Sequence, residues 1–157
     1  MSTTIVNQIS TTDQVDVRGP RFAAWVTTAV LLSVLVVSAF STPAAAVILA
    51  AQAAVFAIGA AAGPRHHPYG RIFATVVSPR LGPVTEREPV PPLKFAQLVG
   101  LLFAVVGVAG FAFGAPLLGV TATALALAAA FLNAAFGICL GCMLYPLVTR
   151  LRRPRGA

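Results

Sequence analysis

Charged and uncharged segments divide this chain more sharply than any local periodicity does. Residues 22–64 contain no Asp, Glu, Lys or Arg, and neither do residues 95–149. Every charged side chain falls before, between or after these two stretches. A helix that crosses a bilayer needs about 20 predominantly apolar residues, so each stretch has room for two. Ser41-Thr42-Pro43 interrupts the first, and Gly114-Ala115-Pro116 interrupts the second. Proline lacks an N–H and is tolerated in a turn or at the first positions of a helix. The pattern therefore predicts an all-α membrane protein with spans near 22–41, 44–62, 95–113 and 117–148. The fourth segment exceeds a hydrocarbon core of about 30 Å at 1.5 Å per residue, so it must tilt, bend or continue along the surface.

Composition supports a bilayer environment. The chain of 157 residues is 58% hydrophobic and 10% charged, where a soluble domain carries about a quarter charged residues. Lipid solvates such surface directly, provided that backbone polar groups pair within helices. The eleven Lys and Arg residues give an orientation. Arg18 and Arg21 precede the first span; Arg65, Arg71, Arg80, Arg87 and Lys94 lie in the loop 63–94; Arg150, Arg152, Arg153 and Arg155 follow the last span. Neither short connector has any. Positive residues are retained on the cytoplasmic side, so the expectation is two hairpins in a bacterial inner membrane. Both termini are then cytoplasmic: a tail over residues 1–20, poorly ordered through Arg18, and a basic tail over residues 150–157. A cleavable signal is not expected before Pro43-Ala44-Ala45-Ala46, because the apolar run exceeds the usual 7–15 residues. The formal charge of +7 is juxtamembrane and lacks aromatic interleaving, which argues against nucleic acid and for anionic headgroups.

The loop 63–94 is rich in proline. Its segment Tyr69 to Val77 carries Ile72, Phe73, Val76 and Val77 around Arg71, a pattern for a short interfacial helix or an ordinary loop touching headgroups. Glu86 and Glu88 are candidate partners for Arg80 or Arg87. His66 and His67 are the only histidines and weak metal candidates, since no acid or thiol lies close in sequence to complete a ligand shell. The four acids, Asp13, Asp16, Glu86 and Glu88, lie outside the spans, so the buried carboxylate expected of a proton-coupled carrier is missing.

The two cysteines form Cys139-Leu140-Gly141-Cys142. On a helix, residues three apart share a face, and a C-x-x-C pair is a redox dithiol or half of a zinc site elsewhere. Pro146 removes the hydrogen bond to the Cys142 carbonyl and predicts a kink. Gly137 and Gly141 clear space around Cys139, and Tyr145 supplies a hydroxyl one turn on. Asn133 is expected to face away from the sulfurs on a regular helix. The alternative is packing: Cys fills membrane helices as a small apolar residue, and Gly137/Gly141, Gly110/Gly114 and Gly59/Gly63 have the spacing of close helix contacts. Cys142 precedes Arg150 by about 12 Å of helix, which puts the pair toward the reducing cytoplasm. That location disfavours a permanent disulfide and favours a dithiol that cycles, takes up sulfane sulfur or holds a soft metal.

The segments His67-Pro68-Tyr69-Gly70, Pro79-Arg80-Leu81-Gly82-Pro83, Pro91-Pro92-Leu93-Lys94-Phe95-Ala96-Gln97 and Ala130 to Cys142 together resemble the bacterial membrane family termed domain of unknown function 4395. The resemblance runs from Arg18 to Tyr145. It implies an integral membrane protein often encoded beside thiosulfate sulfurtransferases and thioredoxin-like proteins, with the C-x-x-C at a signature position, and it assigns no catalytic residue or cofactor. Three functions stay open. One is a membrane thiol component of sulfur transfer or thiol redox, with Cys139 and Cys142 serving a cytoplasmic thioredoxin-like or rhodanese-like partner. The others are a scaffold subunit, as a monomer or homo-oligomer, and a small-molecule carrier.

Overall fold

In the computed structural model, which describes residues 14–152, four long helices account for most of the chain. They are α1 (Arg18–Ser38), α2 (Thr42–Ala62), α4 (Val90–Ala112) and α5 (Pro116–Phe136), each long and apolar enough to cross a membrane. Between α2 and α4 lies α3 (Pro68–Ile72), continued by one π turn over Phe73–Val77 and one 3-10 turn over Ser78–Arg80. The last helix, α6 (Leu140–Arg152), is separate.

Local chemistry sets these boundaries. Ser41 caps α2 by accepting the Ala44 N–H at 3.3 Å, with Pro43 in the first turn. The Asp16 carboxylate accepts the Arg18 N–H at 3.0 Å before α1. Pro91 and Pro92 fall in the first turn of α4, where a missing N–H costs nothing because it has no intrahelical partner. This is why α4 begins at Val90 and takes in Lys94, ahead of the start near residue 95 inferred from charge.

The core is built from small residues meeting larger ones. α2 packs chiefly on α4, α1 on α5, and α4 on α5. Leu31 and Val34 of α1, Leu49 and Phe56 of α2, Ala104 and Phe111 of α4 and Ala126 of α5 form one buried cluster. A methyl group added at Gly110 would lie 2.5 Å from the Gly119 backbone nitrogen, and one at Gly119 would lie 2.6 Å from Phe111. The α4 and α5 backbones therefore touch through these glycines, the arrangement by which membrane helices gain packing contacts. The outward faces stay apolar: Trp25, Leu32, Leu102, Leu117 and Leu125 are all about half exposed or more.

Two expectations are corrected by the structure. Residues Gln14–Asp16 form strand β1, antiparallel to β2 (Arg87–Pro89), with Val15 opposite Glu88, so this part of the expected tail is tied to the central loop; residues 1–13 and 153–157 lie outside the described residues. The segment 117–148 is not one helix. It breaks after Phe136, where Gly137 adopts the left-handed conformation (φ 70°) and its N–H returns to the Asn133 carbonyl at 3.0 Å. Glycine reaches this conformation without the steric cost other residues carry. The interruption is at Gly137 and not at Pro146, which sits inside α6.

Candidate functional site

The break at Gly137 determines where the cysteines go. Cys139 lies just ahead of α6 and Cys142 in its first turn, rather than on one face of a continuous span. The Cys142 N–H donates to the Cys139 sulfur at 3.3 Å, and the Met143 N–H donates to the Cys139 carbonyl at 3.0 Å. Cys139 is thus the N-cap of α6, its sulfur occupying the place of the usual hydroxyl or carboxylate oxygen. The two sulfurs are joined as a disulfide with Cα atoms 5.2 Å apart. The structure holds the closed form of the pair, which is one of the two states of a dithiol that cycles.

Of the supporting residues, Gly141 has the most direct role. A methyl group there would meet the Ala96 Cα and Cβ at 2.6 Å, so the glycine inside the motif is what seats α6 on α4. Gly137 meets nothing within 4 Å; it acts through backbone conformation alone. Tyr145 turns its ring to Phe95, with centroids 6.0 Å apart, and is a packing residue between α6 and α4 that stays out of the cavity wall beside the cysteines. Pro146 is exposed.

Cys139 borders a partly open cavity of about 320 Å³ lined by α1, α2, α4, α5 and the start of α6. Thr27, Phe56, Gln97, Asn133 and Leu144 are among its walls. Asn133 lines the same cavity as Cys139, since the helix ends at Gly137 and the two residues no longer share one regular helix, contrary to the regular-helix expectation.

The histidines separate. His66 is exposed and places Nδ1 3.2 Å from the Ala62 carbonyl oxygen. His67 is only 3% exposed, and neither ring nitrogen has a hydrogen-bond partner. It contacts Tyr69 edge-on at 5.2 Å between centroids, and the Tyr69 hydroxyl donates to Gln52 Oε1 at 2.8 Å. Burial lowers the His67 pKa below the ordinary imidazole value, an effect that the nearby Gln97 amide opposes without completing a hydrogen bond. Burial likewise raises that of the Tyr69 phenol. No group of three or more His, Cys, Asp or Glu that could hold a metal occurs among the described residues. Nor do Glu86 and Glu88 pair with Arg80 or Arg87: the ion pair among the described residues is Arg18 to Asp16 at 2.8 Å.

His67 lines a second cavity, of about 260 Å³, with Asp16, Gly19, Phe73 and Gln97. Pro20, Ala23, Leu93 and Gln97 belong to the walls of both cavities. The polar residues Gln52 and Gln97 are visible in the sequence as rare amides in apolar spans; their convergence with His67 and Tyr69 depends on how the central loop folds back.

These features define an all-helical protein with four helices of membrane-spanning character and a cysteine pair capping a fifth long helix. The chain belongs to the family described as domain of unknown function (DUF4395), whose match covers residues 15–150. No curated protein and no solved structure matches it.

Proposed function

We propose that this protein is a thiol–disulfide component of a bacterial inner membrane. In this reading, α1 with α2 and α4 with α5 cross the bilayer as two hairpins, and both termini and the cysteine pair face the cytoplasm. The positive residues support this orientation. α6 is too short to span at about 20 Å. It carries exposed Met143, Leu144, Leu147 and Leu151 with Arg150 and Arg152, a composition suited to lying in the interface.

The observation that carries the reading is Cys139 at the N-terminus of a 13-residue helix with the Cys142 N–H on its sulfur. Helix N-termini favour negative charge, so the geometry favours a thiolate on Cys139 and makes it the better leaving group. A thiolate of a thioredoxin-like or rhodanese-like partner attacks the Cys142 sulfur, the S–S bond breaks, and Cys139 departs as thiolate. A second partner thiol then displaces Cys142, leaving the partner oxidised by two electrons and a dithiol here. Reversal of the same steps oxidises the pair.

Trapping tests this. The Cys139→Ser variant is expected to accumulate a mixed disulfide through Cys142 in cells, while Cys142→Ser accumulates less. A double-serine variant that complements a deletion strain under thiosulfate or oxidative stress as well as the native protein would refute the reading and leave a scaffold role.

A further inference from the structure

The last helix carries a face that the rest of the described chain leaves largely uncovered. Leu140, Leu144, Leu147 and Leu151 recur at the spacing i, i+4, i+7, i+11, which aligns them as one stripe along a helix. Leu140 and Leu144 border the partly open cavity beside Cys139. Leu147 and Leu151 run on beyond it and are 57% and 79% exposed. No residue of α6 is buried.

Charge and position narrow what covers the stripe. Arg150 and Arg152 are exposed, α6 contains no acid, and Glu88 is the last acidic residue of the chain. At about 100° of turn per residue, Arg150 lies about 90° to one side of the stripe and Arg152 about 110° to the other. Arginines so placed lay their stems along apolar surface and hold their charged ends in a layer of phosphates. α6 follows α5 with only Gly137, Ile138 and Cys139 between them, and α5 is long and apolar enough to cross a membrane. A crossing α5 therefore delivers the stripe to the headgroup layer. On the same helical count Cys142 falls about 170° from the stripe, on the opposite face.

We propose that α6 docks on anionic lipid, with its leucine stripe in the leaflet where α5 ends and with Arg150 and Arg152 on phosphate headgroups at either side. Docking in that orientation turns Cys142 to the water, where a soluble partner reaches its sulfur. The docking stands on the exposure and charge of α6, and its effect on exchange rests on the thiol–disulfide function proposed above. Anionic lipid thus acts as a regulator of the cysteine pair without touching either sulfur.

The test uses the full chain in nanodiscs of phosphatidylglycerol mixed with phosphatidylcholine, and in nanodiscs of phosphatidylcholine alone, with a water-soluble polyethylene-glycol maleimide as probe. Leu147→Cys in a double-serine background reads the stripe; Thr149→Cys in that background and Cys142 in Cys139→Ser read the opposite face. In the anionic discs both opposite-face positions should label about tenfold faster than position 147, as expected when a leucine position is withdrawn from water. Arg150→Gln and Arg152→Gln should each raise labelling at 147 about fivefold there, the contribution of one basic residue at an anionic surface. Equal rates at 147 and 149, or a rate at 147 that neither arginine substitution moves, overturn the docking. Slow labelling at 147 that persists equally in the neutral discs shows a cover other than anionic lipid and overturns it as well. In cells, the mixed disulfide trapped by Cys139→Ser should fall severalfold when both arginines are replaced. An unchanged yield overturns the control of exchange by docking, whereas no mixed disulfide from any variant removes the thiol–disulfide reading and leaves the docking in place.

Discussion

The seam between α4 and α5 and the seating of α6 on α4 are both made by a glycine meeting a neighbouring backbone, yet they differ in everything around that contact. At Gly110 the two backbones touch inside a cluster that includes Phe111, Leu49 and Ala126. At Gly141 the contact with Ala96 is accompanied by the Tyr145 ring against Phe95, but α6 has no buried residue. Where dispersion contacts are dense and buried the element is fixed, and where every contacting side chain stays partly exposed the element can move at smaller cost. The cysteines lie on the second kind. On the function proposed above, a disulfide that exchanges with a partner is served by a helix with no buried residue resting on a packed bundle.

Breaking the first contact should have the largest effect. Gly110→Val forces a side chain into the Gly119 backbone, which cannot retreat without separating α4 from α5. Overpacking of this kind costs about 3 kcal/mol or more, and the expected result is loss of a monodisperse species in detergent. A variant with an unchanged melting temperature would show that the two helices are not in contact there.

Gly141→Val probes the second contact. The displaced segment is α6 alone, so destabilisation of about 1 kcal/mol is expected, the low end for overpacking. The sharper readout is chemical: after reduction, Cys139 and Cys142 should react faster with a maleimide as α6 lifts from Ala96. Equal labelling rates in the variant and the native protein would mean that α6 is not held through this glycine.

The legibility of these regions in the sequence follows the same division. Four helices were readable because charge is absent over residues 22–64 and 95–149 and because proline and glycine punctuate both stretches. The break at Gly137 was not, since Phe136-Gly137-Ile138 continues the apolar run and an isolated glycine within such a run is tolerated; only the excess length of the segment pointed to it. The strand at Gln14–Asp16 depends on pairing with residues more than seventy positions away, which three residues cannot signal. Cys139 and Cys142 were found by their spacing, but the capping geometry required knowing where α6 starts. His67 resembles His66 in sequence and differs from it only because the loop turns it inward against Gly59 and Gln97.

Acidity distinguishes the buried polar cluster from the surface. His67 is held neutral by burial, so its folded-state pKa is lower than that of the unfolded chain. Its contribution to stability is complete above the unfolded value of about 6.5 and declines as pH falls below that toward the folded value. The melting temperature in detergent should therefore drop between pH 7 and pH 5, and His67→Gln should flatten that slope. An identical slope in the variant would place His67 in water.

The smallest effect is expected at the strand pair, where the contacts are polar and close to solvent. The Asp16 carboxylate accepts from the Arg18 side chain at 3.1 Å and 3.0 Å and from the Arg18 backbone N–H, and Arg18 reaches on to the Gly82 carbonyl at 3.2 Å. The hydrogen bond from Arg18 lowers the Asp16 pKa most, against a smaller opposing effect of burial. Its folded pKa being depressed, Asp16 stabilises the protein above the unfolded value of about 3.9 and loses that contribution as pH falls through the lower folded value. Arg18 is partly exposed, so solvent screening leaves the ion pair little net stability. Asp16→Asn keeps a side-chain oxygen for the Arg18 N–H, and should move the melting temperature by no more than about 2 °C in a domain of this size. Asp16→Ala removes the acceptor of the Arg18 N–H as well and should cost about 1 kcal/mol. If both variants lose the same amount, the carboxylate charge rather than the hydrogen bond from the Arg18 N–H is what joins the strand pair to the bundle.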